Sequence, residues 1–207
     1  MVRVKICGIS TVEGARAAVD AGAHALGFVF APSPRQVDPA TVRRIVDQLP
    51  PFVGKVGVFV NAGRKVIEEI VDYCHLDLLQ FHGDESPGDC QGWRLPVIRA
   101  FRVRDHLFLN ELPEYRVAAF LLDAFVPGRR GGTGSGFNWE LARDARQYGP
   151  IILAGGIRAE NVERVIRTAE PFAIDVSSGV ETDGQKDLQK IRSLMAEVGR
   201  VNNELAR

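Results

Sequence analysis

The chain has 207 residues, 45% hydrophobic and 25% charged, the makeup of a folded globular protein rather than a disordered one. Lys and Arg total 26 and Asp and Glu total 26, so the formal net charge is zero. That excludes a broad cationic surface for nucleic acid or anionic membrane.

Three widely spaced cysteines, Cys7, Cys74 and Cys90, make neither a disulfide framework nor a zinc site. The four histidines form no HExxH-like pair. The longest apolar run, residues 117–122, falls far short of the ~20 residues that span a bilayer. The first residues carry no apolar core with a cleavage site, so no signal peptide is expected. These readings predict a cytoplasmic protein with no metal, no membrane contact and no nucleic-acid partner. The count that stands out is 21 glycines, which have no period of three and must serve local turns.

In chain order, residues 2–6 are short, β-branched and closed by Cys7-Gly8, which predicts a strand. Ser10 and Glu13 have capping-box spacing, which predicts a helix starting there and stopping near Gly22. Residues 25–30 are apolar throughout, as in a strand covered on both faces. Val42, Ile45, Val46 and Leu49 have helical spacing, ended by Pro50-Pro51. Residues 55–60 predict a third strand, and Val66, Ile67, Ile70 and Val71 the next helical stripe. Strands follow at 76–81, 96–101 and 117–122, with a short helix expected within 86–92 and a weak one within 103–111. The glycine-rich loop 128–136 has no GxxxxGK[ST] and reads as a lid. A helix at 138–148, a strand at 150–153, a helix marked by Val162, Val165 and Ile166, and a strand at 172–176 complete the alternation. Leu188, Ile191, Leu194, Met195 and Val198 mark the last helix.

Eight strands alternating with helical segments imply a parallel sheet. At about 26 residues per unit there is no room for large insertions. The prediction is one domain over residues 1–207, a (β/α)8 (TIM) barrel. A doubly wound open sheet is the alternative, but no switch-point crevice is marked.

In such a barrel the chemistry sits at the C-terminal strand ends. Those ends carry Cys7, Arg35, Asn61, Gln80, His82, Arg99, Asp123, Gly155, Gly156, Asp175, Ser177 and Ser178. Gly155-Gly156 and Ser177-Ser178-Gly179 follow the last two strands, where backbone N–H groups of barrels often hold phosphate. Residues 179–182 are a candidate for the short extra helix of such a site. The plain alternative is a pair of tight turns. Cys7 is either a buried small hydrophobe or one of an acid–base pair with Asp123 across the mouth. Asp123 otherwise caps a helix or partners Arg99 or Lys5. Arg35 is a surface arginine or a bidentate carboxylate partner. His82 and Cys74 read as structural.

The segments KICGI at 5–9, GFVF at 27–30, SPR at 33–35, GVFVN at 57–61 and LLQFHG at 78–83 resemble the phosphoribosylanthranilate isomerase family. So do LLD at 121–123, GGTG at 131–134, LAGG at 153–156 and DVSSGVE at 175–181, with Lys186-Asp187. Ser10, Phe81 and Ile157 depart from residues common in the family. The resemblance implies an Amadori rearrangement of a phosphosugar anthranilate in tryptophan biosynthesis, without cofactor or metal. It implies Asp123 as the acid and Cys7 as the base. It implies Arg35 on the anthranilate carboxylate, and Gly155, Gly156, Ser177, Ser178 and Gly179 on the phosphate. Monomer and homodimer both remain open. The related isomerase of histidine synthesis uses two carboxylates, and Cys7 points away from it. Indole-glycerol-phosphate synthase would need an extended N-terminus and a catalytic lysine arrangement. A phosphosugar-binding module without turnover is the non-enzymatic alternative.

Overall fold

Strands that are apolar on both faces pair side by side and are covered by helices. The computed structural model describes residues 1–103, 106–123 and 139–207, and the expected lid at 128–136 lies outside the described residues. The strands are β1 (Arg3–Cys7), β2 (Ala25–Val29), β3 (Gly54–Phe59), β4 (Leu78–Phe81), β5 (Val97–Arg102), β6 (Ala119–Asp123), β7 (Ile151–Ala154) and β8 (Ala173–Val176). They run parallel in sequence order, and β8 pairs with β1 to close the barrel. The expected (β/α)8 barrel is therefore the architecture found.

Alternation along each strand separates two apolar layers. Val56, Ile98, Ala100, Ala119, Leu121, Ile152, Ala154 and Ala173 form one buried cluster, which fills the barrel. The intervening residues, such as Ile6, Phe81, Phe120, Leu122 and Ile174, belong to the larger cluster under the helices. The helices are α1 (Val12–Asp20), α2 (Pro39–Val46), α3 (Arg64–Cys74), α4 (Trp139–Ala145), α5 (Ala159–Ala169) and α6 (Leu188–Leu205). Asp38 caps α2 by accepting from Thr41 N at 2.9 Å, and Pro39 follows at the first turn.

Four local expectations are corrected. The cap of α1 is Thr11, whose Oγ1 accepts from Gly14 N at 3.0 Å, and not Ser10. The reason lies upstream: Gly8 N and Ile9 N both donate to Gly27 O, at 2.9 and 3.0 Å, which holds that turn against β2. The helix therefore begins one residue later than the spacing predicts. The short helix expected within 86–92 is a run of turns. There the Asp89 carboxylate takes the Ser86 N–H and hydroxyl, at 2.8 and 2.7 Å, a local bond that competes with helix formation. The weak helix expected within 103–111 is instead two 3-10 segments, His106–Asn110 and Leu112–Glu114. Past β8, a single 3-10 turn (Ser178–Val180) leads into a hairpin of β9 (Glu181–Thr182) and β10 (Gln185–Lys186). The expected helix at 179–182 is thus cut short by the hairpin.

Thr11→Ala should lower unfolding stability by about 1 kcal/mol, and Ser10→Ala should stay within about 0.5 kcal/mol of the parent. Urea unfolding of the two variants side by side checks this.

Candidate active site

Lys5 and Cys7 lie two residues apart on β1, so both point into the barrel. Lys5 is the register partner of Asp175 on β8, and its Nζ donates to Asp175 Oδ1 at 2.9 Å. Both side chains are buried. Burial works to lower the Lys5 ammonium, but Asp175 and Cys7 outweigh it and hold it above the usual lysine value. Gly27, opposite on β2, makes room: a Cβ there would lie 2.8 Å from Cys7 Sγ and 2.9 Å from Lys5 Nζ. Burial, with Asp175 adding to it, pushes the Cys7 thiol up, and Lys5 and Lys186 oppose that rise.

Arg35 follows β2 and folds back over β1. A Cβ on Gly8 would come within 2.5 Å of Arg35 Cδ, so the arginine stem rests where only glycine fits. Its Nε and Nη2 donate to the two carboxylate oxygens of Glu181 at 2.8 and 2.6 Å. Lys186 Nζ donates to Glu181 Oε1 at 2.5 Å and to Ser177 O at 3.3 Å. Burial raises the Glu181 carboxyl, but Arg35 and Lys186 more than offset it, so it lies below its ordinary value. Burial dominates at Lys186 and lowers it. Sequence reasoning assigned no role to Glu181 or Lys186. Both lie in segments that resemble the family, but nothing in their spacing ties them to Arg35.

Asp123 ends β6 on the inner face, in step with Ala119 and Leu121. Its Oδ2 lies 3.5 Å from His82 Nε2, and His82 Nδ1 lies 3.1 Å from Gln80 Nε2. Asp123 thus meets neither Arg99 nor Lys5, and His82, read as structural, stands beside it. Arg99 does not join the mouth. It shares strand parity with Val97 and Phe101, which face the helices. Its Nη1 donates to Phe81 O and Ala100 O, 3.5 Å from Glu85, and its guanidinium lies over the Phe101 and Tyr115 rings. Glu85 also accepts from Asn61 N and Gly83 N, at 2.7 and 2.8 Å, joining the loops after β3 and β4.

The loops after β7 and β8 interlock. Gly155 and Gly156 take φ of +92° and +64°, a left-handed path that glycine follows without strain. Asn161, in the first turn of α5, holds this loop by donating to Gly156 O and accepting from Arg158 N, both at 2.9 Å. A Cβ on Gly179 would fall 1.8 Å from Ile157 O, so only glycine lets the two loops touch. Ser177, Ser178 and Gly179 therefore flank Gly155 and Gly156 at the same end of the barrel.

A closed (β/α)8 barrel with its polar side chains gathered at the C-terminal strand ends is the architecture of a barrel enzyme. The family model described as "N-(5'phosphoribosyl)anthranilate (PRA) isomerase" matches residues 4–197. An N-(5'-phosphoribosyl)anthranilate isomerase of Moorella thermoacetica is 54% identical over 200 residues, covering 96% of this chain and 90% of that protein. The crystal structure of phosphoribosyl anthranilate isomerase from Thermotoga maritima superposes with TM-score 0.87 at 41% identity, covering 97% of this chain and all of that one. A structure of the isomerase in complex with reduced 1-(o-carboxyphenylamino)-1-deoxyribulose 5-phosphate superposes with TM-score 0.84 at 39% identity, covering 97% of this chain and all of that one. The chain belongs to the phosphoribosylanthranilate isomerase family, and it is an isomerase.

The three thiols differ in reach. Cys74 and Cys90 are buried under the helices, and burial pushes each up to about 11. Cys7 is the most exposed of the three at 8%. Iodoacetamide should alkylate Cys7 first, and because burial holds its thiol above the ordinary value of ~8.5, the rate should keep rising as pH climbs beyond that value. Peptide mass mapping across that range checks both the site and the direction.

Proposed function

We propose that this chain converts N-(5-phosphoribosyl)anthranilate to 1-(2-carboxyphenylamino)-1-deoxyribulose 5-phosphate in tryptophan biosynthesis, with all of its site on one barrel domain. The observation that carries the reading is the structural match, over 97% of this chain, to the isomerase bound to the reduced form of that product. The reaction is an Amadori rearrangement. Asp123, as a carboxylic acid, gives a proton to the ribose ring oxygen as its bond to C1 breaks, leaving an iminium at C1. Cys7, as a thiolate, takes the proton from C2, and the electron pair forms an enolamine. That species gains a proton at C1 and loses the C2 hydroxyl proton to become the ketone.

Lys5 and Lys186 favour the thiolate form of Cys7, against burial and Asp175, which together hold the thiol above its ordinary value. Lys5, Lys186 and Arg35 act electrostatically with Cys7, and among the described residues two carboxylates, Asp175 and Glu181, are paired with these three cations. Arg35 takes the anthranilate carboxylate. The backbone at Gly155, Gly156 and Gly179, with Ser177 and Ser178, takes the phosphate, consistent with the close approach that glycine permits.

Cys7→Ala and Asp123→Asn should each lower kcat by about 10²–10⁴ or more with KM little changed. Loss of anthranilate fluorescence on adding enzyme follows the turnover. Near-parental kcat in both variants would overturn the acid–base assignment. Arg35→Ala should instead raise KM, and a fall in kcat alone would remove it from the binding role. Binding of substrate without any fluorescence loss in the parent would identify a phosphosugar-binding module instead.

A further inference from the structure

We infer that Glu181 is a positioning residue for the isomerisation, holding Arg35 so that one fork of its guanidinium stays open for the carboxylate of the substrate's aromatic ring. The inference rests on the role proposed for Arg35.

A guanidinium has five N–H donors in a fixed plane. Glu181 engages the side fork, Nε and Nη2, in two bonds of 2.8 and 2.6 Å. The end fork, made by Nη1 and the second hydrogen of Nη2, carries the remaining donors. A planar carboxylate fits such a fork in two parallel hydrogen bonds. Arg35 can therefore pair with Glu181 and with a ligand carboxylate at the same time, through different edges.

The clamp is itself fixed. Only 7% of the Glu181 side chain is exposed, and Glu181 opens the hairpin whose second strand carries Lys186. Lys186 binds the same Oε1 that accepts from Arg35 Nε and reaches Ser177 O at 3.3 Å. Arg35 is seated from below on Gly8, where a Cβ would lie 2.5 Å from its Cδ. The hairpin after β8 thus locks a side chain from the loop after β2 above β1. A mobile arginine would lose side-chain freedom at each binding event, and a clamped one has lost it already. Removal of Glu181 frees a long side chain and leaves Lys186 without its carboxylate. The expected loss is selective for ligands that carry the ring carboxylate.

The test compares two ligands by isothermal titration calorimetry. One is reduced 1-(o-carboxyphenylamino)-1-deoxyribulose 5-phosphate, and the other is its anilino counterpart without the carboxylate. In the parent the first binds more tightly. In Glu181→Gln that preference should shrink about tenfold, the weight of one charge-assisted hydrogen bond, with the anilino ligand little affected. Arg35→Ala should abolish the preference, and adding Glu181→Gln to it should change nothing further. If both ligands weaken alike in Glu181→Gln, or neither does, the positioning role is overturned. A preference that survives Arg35→Ala overturns the Arg35 reading and this inference with it. A preference that disappears in Arg35→Ala but persists in Glu181→Gln overturns only the inference. Glu181→Asp keeps the charge but draws it back by one methylene, and should give an intermediate preference. It serves as the second variant if Glu181→Gln does not fold.

Discussion

Lys5 and Asp175 meet across the seam where the last strand joins the first, as direct register partners inside the barrel. Charges this far from water cost several kcal/mol apiece when unpaired. Each is tolerated because the other stands beside it, which ties the register of β1 to that of β8. Cys7 inherits its place from this arrangement. Lying two residues beyond Lys5, it falls on the same inner face, in the field of the pair. A slip by one residue would turn Lys5 and Cys7 toward the helices and bring Ile6 inside.

From that seam a line of charged and polar side chains continues upward. Asp175, Lys5, Cys7, Lys186, Glu181 and Arg35 lie along one side of the mouth. A net charge of zero over the whole chain is compatible with this, because the excess is local and amounts to one cation before any ligand arrives. The other side of the mouth is different in kind. There Asp123 faces His82, with Gln80 behind it, and the glycine loops present backbone rather than side chains. The proposed base and acid thus stand in separate environments, one framed by ions and one by hydrogen-bonding rings and amides.

The barrel was legible because its signals are local. Apolar runs such as 117–122 and stripes such as Ile191, Leu194 and Val198 say which face is buried without reference to anything distant. Cys7 and Asp123 were legible as strand-end polar residues. What escaped was set by contacts between remote segments. Thr11 rather than Ser10 caps α1 because Gly8 and Ile9 are pinned to Gly27. Arg99 leaves the mouth because of its parity with Val97 and Phe101, a one-residue matter that a predicted strand boundary does not resolve. His82 and Asp123 come from different strands, and no spacing joins them. Glu181 looked like part of a short helix, and its role as partner of Arg35 spans 146 residues of sequence.

That same separation bears on how the molecule reaches its working form. The ion pair that seals the barrel joins residues 170 apart, and the clamp on Arg35 joins the loop after the second strand to the hairpin after the eighth. Contacts of such long range close late, because the entropy of a large loop must be overcome before they are gained. As the chain is synthesised from its N-terminus, the first strands can pair in order, each with its neighbour. The mouth has neither its lysine's counter-ion nor its arginine's anchor until the final strand and hairpin have emerged. Both contacts therefore belong to the completed ring alone, and a chain cut short before Asp175 would carry Cys7 and Arg35 without the ion pair and the carboxylate that surround them in the whole.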